Sequence, residues 1–186
     1  QVDVRVFSPE ELVSLAASLV PRGNIGLAFT YNEPLVNLEY ILDCGRLLRE
    51  QGLKLVVVTN GCFAVDALGD LFDLADAMNI DMKDFDPAWY RRLGGDLGMV
   101  QAFIRRALTS CHVEITTLVV PGENDTVEEI DRLASWLASM DPALPLHLSR
   151  FFPRHKAEGA PTETESLLRL CQVAQRHLRH VYPGNL

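Results

Sequence analysis

The hexapeptide MNIDMK, Met78–Lys83, carries the pattern on which the fold turns. Alternate residues of a strand share a face. Met78, Ile80 and Met82 would therefore form one side, and Asn79, Asp81 and Lys83 the other. A strand inside a parallel sheet is ordinarily apolar on both sides, and the interior of a filled barrel is Val, Ile or Leu. An amide, an acid and a base in a row point instead to a hydrated lumen that holds a polar ligand. The bland alternative is an internal Asp81–Lys83 ion pair at a strand end.

Outward from this stretch, apolar runs alternate with helical patterns. SPEELVSLAASLV opens a helix with Ser8 as N-cap, Pro9 at the first helical position and Glu11 closing a capping box. IGLAFTY reads as a strand. PLVNLEYILDCGRLLREQG reads as a helix with Leu35, Leu38, Ile41 and Leu42 on one face, ended by Gly52. LKLVVVT, AMNIDMK, HVEITTLVV and LPLHLSRF read as further strands. VDALGDLFDLA, GMVQAFIRRALTS, TVEEIDRLASWLASM (capped by Asp125 or Thr126) and TETESLLRLCQVAQRHLRH read as helices. Repeated strand–helix units imply parallel strands with crossover helices, in either a doubly wound sheet or a barrel. FFPRHKAEGAPTET is the one long irregular loop, and such loops often carry function.

The 186 residues fit one domain spanning 1–186, and a 48% hydrophobic content can fill its core. A formal charge of −8 argues against a general nucleic-acid binder or a polybasic membrane anchor. No apolar stretch approaches the ~20 residues that cross a bilayer, and no signal-peptide pattern is present. Cys44, Cys62, Cys111 and Cys171 are too far apart in sequence for a CxxC-type metal or redox motif. Cys44 and Cys171 fall in helical patterns and read as packed hydrophobes. Disulfides are not expected, and a reducing cytoplasm is the expected setting.

In parallel α/β folds function gathers at the carboxyl ends of the strands. The unusual polar residues fall there. VVVTNG ends in Thr59 and Asn60, with Gly61 allowing a sharp turn. HVEITTLVVPG sets Glu114 and Thr116 on one face. HLSRFF sets His147 and Ser149 on one face and Arg150 near the tip; a lone strand histidine such as His147 is more often a satisfied core group than a ligand. In AFTYNEP, Ala28–Pro34, Thr30 and Asn32 share a face, Glu33 lies past the strand tip and Pro34 starts the helix. A carboxylate fixed there can bind an ammonium group. The plainer reading makes Asn32 a helix cap and Glu33 a residue favoured by the helix dipole. That reading suffices for one strand, and it weakens when four strands are polar at the same end.

Together SPEELV, AFTYNEP, VVVTNG, DAMNIDMK, EITTLVVPGEND, HLSRFFP and HVYPGNL resemble, in order and over nearly the whole chain, the radical S-adenosylmethionine (SAM) superfamily. The likeness is greatest to pyruvate formate-lyase activating enzyme homologues and, among them, the AmmeMemoRadiSam group. The resemblance implies an α/β fold, a partial parallel (β/α) barrel truncated at its N-terminus, with SAM at the carboxyl ends of its strands. YNEP stands where the family has a GGEP-like motif, so Glu33 would meet the methionine ammonium, with Asn32 beside it among the cofactor-binding residues. Thr59, Asn60, Asp81 and Lys83 match positions framing the methionine carboxylate and ribose. Thr116 or Thr117, and Arg150, would line the lumen further along.

Two departures qualify the likeness. The CxxxCxxC loop that holds a [4Fe–4S] cluster is missing; in the family it precedes a segment like QVDVRVFSPEEL, so the cluster cysteines are expected upstream of Gln1. Glycyl-radical activators carry a His near the position of Phe151 and Phe152, which bears against a glycyl-radical substrate. The resemblance implies reductive cleavage of SAM to methionine and a 5′-deoxyadenosyl radical in the intact protein. It also implies an electron-donor protein and a small-molecule or protein substrate, and a chain inactive on its own. Two rivals stand beside it: a non-catalytic SAM- or nucleotide-binding module, and an α/β barrel lyase with Lys83 as a Schiff-base amine.

Overall fold

The computed structural model describes residues 5–154 and 159–186. Six strands, β1 (Gly26–Phe29), β2 (Lys54–Thr59), β3 (Ala77–Asp81), β4 (His112–Val119), β5 (Leu146–Arg150) and β6 (Val181–Gly184), form one open sheet in chain order. Every neighbouring pair is parallel. Right-handed crossovers that always step the same way leave all their helices on one side of the sheet.

That side is the core. Leu55, Val57, Met78, Ile80, Val113, Ile115, Val119, Leu146 and Leu148 are buried. The helices that cover them are α1 (Pro9–Ser18), α2 (Leu38–Glu50), α3 (Leu71–Leu74), α4 (Pro87–Arg92), α5 (Leu97–Ala107), α6 (Val127–Ala138) and α7 (Thr164–Ala174). The residues between, such as Val56, Val58, Asn79, Glu114, Thr116, His147 and Ser149, are half-buried on the other face. The alternation predicted for MNIDMK is therefore real: its methionines and isoleucine are buried, and its polar row faces the uncovered side.

Local signals set most boundaries. The Ser8–Glu11 capping box forms at α1, and Thr126 with Glu129 forms another at α6, which decides between the two predicted caps. Elsewhere the structure departs from the pattern. IGLAFTY is a strand only to Phe29, because the chain turns at Tyr31, whose φ is +23°. The helix expected from Pro34 begins as a 3-10 turn, Pro34–Asn37, and becomes α-helical at Leu38. VDALGDLFDLA breaks into a 3-10 turn, Val65–Ala67, and the single turn α3, with Gly69 at φ +52° between them. The sequence reading missed two elements. The first is α4, started by the Asp86 cap and Pro87. The second is β6, whose Pro183 is tolerated on an edge strand. Part of the FFPRHKAEGAPTET loop, 155–158, lies outside the described residues. Among the described residues, no helix is long and apolar enough to cross a membrane.

Candidate active site

The carboxyl ends of β1 and β2 meet at Glu33. Its backbone is extended, as an N-cap residue's is, and its side chain accepts from Leu35 N, so the cap is Glu33 and not Asn32. The same carboxylate receives Thr59 Oγ1 on Oε1 and the Asn60 amide on Oε2, each at 2.7 Å. Thr59 is buried, and its Oγ1 also accepts from Gly61 N. Asn60 Oδ1 accepts from Cys62 N at 2.8 Å. The turn depends on Gly61: φ is +63°, and a Cβ there would lie 2.9 Å from Ile80 Cγ2. An ionised carboxylate offers about four acceptor directions. Three are filled by Leu35, Thr59 and Asn60, which leaves one on Oε2.

The polar row of β3 forms the adjoining wall. Lys83 Nζ donates to Asp81 Oδ2 at 2.5 Å, so the ion pair of the bland reading does form. It is not buried: the two side chains stay 33% and 30% exposed. Asn79 Oδ1 accepts from Thr116 Oγ1 at 2.8 Å across the uncovered face. Thr117 points the other way, buried, and donates to Met82 O, so of the two threonines it is Thr116 whose hydroxyl lies on the uncovered face.

Glu33, Asn60 and Lys83 line one cavity of about 560 Å³, together with Cys62, Phe63 and Tyr90. Two residues that sequence reasoning did not single out, Tyr90 and Asn124, hold its Lys83 corner together with Thr117. Tyr90 Oη accepts from Lys83 N at 2.9 Å, and burial pushes that hydroxyl's pKa up. Asn124, buried, donates to Lys83 O and Leu118 O and accepts from Val120 N. Thr117 fixes Met82. Of Tyr90 and Asn124, only Asn124 left a trace in the sequence, inside EITTLVVPGEND. Asp84, the next residue along, is buried. Its Oδ1 accepts from Phe85 N and Asp86 N, and its Oδ2 has no partner among the described residues. Burial raises its pKa against the lowering effect of those two amides.

Two predicted residues fall elsewhere. Asn32 is exposed and lines a cleft with Glu33 and Tyr40, without reaching the Thr59–Asn60 turn. Arg150 lines a different cavity, which shares no residue with the one around Lys83. His147, read as a satisfied core group, is half-buried and bonded to Glu114 Oε2 at 2.7 Å. Glu114 also meets His112 at 3.2 Å. Burial works to raise the Glu114 pKa, but the hydrogen bonds and charges of the two histidines outweigh it and hold the carboxyl below its ordinary value.

The family model for the radical SAM superfamily matches residues 1–137. The chain belongs to the radical SAM superfamily. An uncharacterized protein of Methanocaldococcus jannaschii, MJ0808, is 31% identical over 198 residues, covering 100% of this chain and 56% of that protein. GTP 3′,8-cyclase of Pseudomonas entomophila is 32% identical over 127 residues, 65% of this chain and 38% of that enzyme. The chain thus spans about half the length, or less, of these curated relatives. Two solved structures share the fold. A domain of a pyruvate-formate lyase-activating enzyme from Bacteroides vulgatus superposes with a TM-score of 0.71 at 22% identity, over 86% of this chain and 99% of that one. A radical SAM methyltransferase from Sphaerobacter thermophilus gives 0.73 at 17% identity, over 94% and 55%. The six-stranded open sheet is therefore a radical SAM partial barrel.

Radical SAM proteins normally combine SAM with a [4Fe–4S] cluster, and the two groups fare differently against these side chains. The free acceptor direction on Glu33 and the half-buried Lys83 ammonium line the same cavity, and together fit the ammonium and carboxylate ends of an amino acid such as the methionine of SAM. A cluster does not fit: among the described residues no three His, Cys, Asp or Glu side chains come together to hold metal. Cys44 and Cys171 are buried in the core, and burial pushes the Cys171 thiol up to about 11.

Proposed function

We propose that the β1–β3 mouth binds the methionine end of SAM in an enzyme of the pyruvate formate-lyase activating type, in the AmmeMemoRadiSam group. The observation that carries this reading is Glu33: a carboxylate pinned by Thr59, Asn60 and Leu35 with one acceptor direction left over. A helix cap needs only the Leu35 contact. The further contacts fix the charge in place before any ligand arrives, which is how a site avoids ordering costs on binding. Lys83 would take the methionine carboxylate, with Asp81 holding its ammonium until then. Asn79 and Thr116 carry the polar lining deeper along the uncovered face. All of these are positioning groups, and the hard chemistry belongs to the cofactors.

In the intact protein, bound SAM and a cluster would supply radical chemistry, and Glu33, Asn60 and Lys83 of this chain would hold and orient the methionine end of SAM. The reading requires three cysteine thiolates for the cluster and expects them elsewhere in the intact protein, with an electron-donor protein as partner. The substrate, small molecule or protein, and a cytoplasmic setting belong to the same proposal. Phe151 and Phe152, where glycyl-radical activators carry a histidine, favour a substrate other than a glycyl-radical enzyme. The Schiff-base alternative fares worse. Such a lysine is activated by an apolar pocket or a neighbouring cation, and Lys83 sits on Asp81 instead.

The test is reduction of the intact protein with SAM and measurement of 5′-deoxyadenosine. Its formation is expected. SAM binding without 5′-deoxyadenosine, in protein whose cluster is verified by absorbance, would leave a non-catalytic SAM module.

A further inference from the structure

The second cavity, at the carboxyl ends of β4 and β5, has a volume of about 670 Å³. Its wall carries Arg150 and Arg154, with Tyr31, Leu118, Phe151, Phe152, Asn185 and Leu186 around them, and among the described residues no acidic side chain. That is unusual in a chain of net charge −8. Among the described residues neither guanidinium enters an ion pair.

Arg150 is also held ready. Its Nε donates to Thr162 O at 2.7 Å, and its guanidinium lies over the Phe152 ring, 4.7 Å from the centroid. Thr162 is itself a buried clasp. Its hydroxyl donates to Val119 O, and it exchanges two hydrogen bonds with Phe151: Phe151 N to its Oγ1 and its own N to Phe151 O. With Nε and one face used, the terminal nitrogens of Arg150 have no protein acceptor among the described residues. A planar fork of donors fixed in this way matches a phosphate or carboxylate.

We infer that Arg150 and Arg154 form an oxyanion subsite for the substrate, separate from the SAM site, and that the substrate bears a phosphate or carboxylate on an apolar or aromatic body. This rests on the radical SAM reading above only in calling the ligand a substrate. The sequence resemblance places Arg150 in the lumen beyond the residues that frame the methionine end of SAM. The geometry separates them, since no residue is shared between this cavity and that of Glu33, Asn60 and Lys83. Tyr31 links them: it lines this cavity and also the cleft beside Glu33, so a ligand held by the arginines lies next to the SAM site.

The experiment is calorimetric titration of the intact protein with inorganic pyrophosphate and, separately, with succinate, with and without saturating SAM. One-to-one binding of either anion is expected. It should weaken at least tenfold in Arg150→Gln and in Arg154→Gln and recover in part in Arg154→Lys, with SAM affinity and melting temperature unchanged in Arg154→Gln. Preference for pyrophosphate would assign a phosphorylated substrate, and preference for succinate a carboxylate. No binding of either anion, or binding indifferent to both arginines, overturns the inference. Competition between anion and SAM, with weaker SAM binding in Arg150→Gln, also overturns it and returns the pair to the cofactor. Failure of the SAM reading itself would register differently, as wild-type protein that does not bind SAM at all whatever the anions do.

Discussion

Ile80→Ala, Asp81→Ala and Lys83→Met, melted side by side, separate the two faces of β3. Ile80 is 0% exposed, sits opposite Thr59 and Ile115 in the sheet, and packs beneath the Gly61 turn. Truncating a fully buried isoleucine costs about 2–5 kcal/mol. For a domain of this size each kcal/mol moves the melting temperature by roughly 2–4 °C, so Ile80→Ala should melt roughly 4–20 °C lower. The Asp81–Lys83 pair is about a third exposed on each side, and ion pairs open to water contribute about 0–1 kcal/mol. Asp81→Ala and Lys83→Met should therefore each cost less than about 4 °C. Lys83→Met keeps the long side chain and removes only the charge. Circular dichroism melts of the three variants and the wild type suffice. If either charge variant melts as low as Ile80→Ala, the pair is buried and structural, because removing one partner of such a pair strands the other charge. The polar row would then not line an open mouth.

Three further outcomes follow from the same geometry. Thr162→Val leaves Val119 O and Phe151 N without their buried partner, and should cost about 1–3 kcal/mol by denaturant titration. Gly61→Ala places a methyl 2.9 Å from Ile80 at a positive φ, and should lower both the melting temperature and SAM affinity, since the turn presents Asn60 N to Glu33. Glu114 has its folded pKa below its ordinary value of 4.5. Its contribution to stability is full above that ordinary value and is lost as pH falls through the lowered one. Melts between pH 3 and pH 6 should show wild type losing its advantage over Glu114→Gln toward the acid end, and parallel curves would contradict this.

Much of the fold was legible because its signals were local. Period-two burial in MNIDMK and HVEITTLVV, and the Ser8–Glu11 box, depend on neighbours in sequence. The SAM-site candidates were legible because strand tips are where such folds work, and Glu33, Thr59, Asn60, Asp81 and Lys83 do converge. What escaped depends on distance. Tyr90 and Asn124 reach Lys83 from 7 and 41 residues away, and nothing in their own surroundings announces it. Arg150 was legible as a tip residue, but its separation from the other candidates was not, because Thr162 and the course of the chain around Phe151 set it. The shortness of α3 reflects Gly69 outweighing the apolar pattern of VDALGDLFDLA, as a positive φ must.

Glu33 caps the helix turn and, on this account, is a ligand group as well; Glu33→Gln tests the second role with least disturbance to the fold. Glutamine keeps the shape, can still accept from Asn60 N and can donate to Thr59 Oγ1, but its amide nitrogen then faces Leu35 N and the cap contact is lost; that costs about 0.5–2 kcal/mol, roughly 1–8 °C in melting temperature. The negative charge is lost, and with it a charge-assisted contact of about 1.5–3 kcal/mol, roughly ten- to hundredfold in SAM affinity. The measurement is SAM dissociation from intact, cluster-loaded wild type and variant at one ionic strength, beside their melting curves. The account predicts SAM binding weakened roughly ten- to hundredfold beside a melting temperature lowered only by the lost cap contact; unchanged SAM binding at that lowered melting temperature would contradict it.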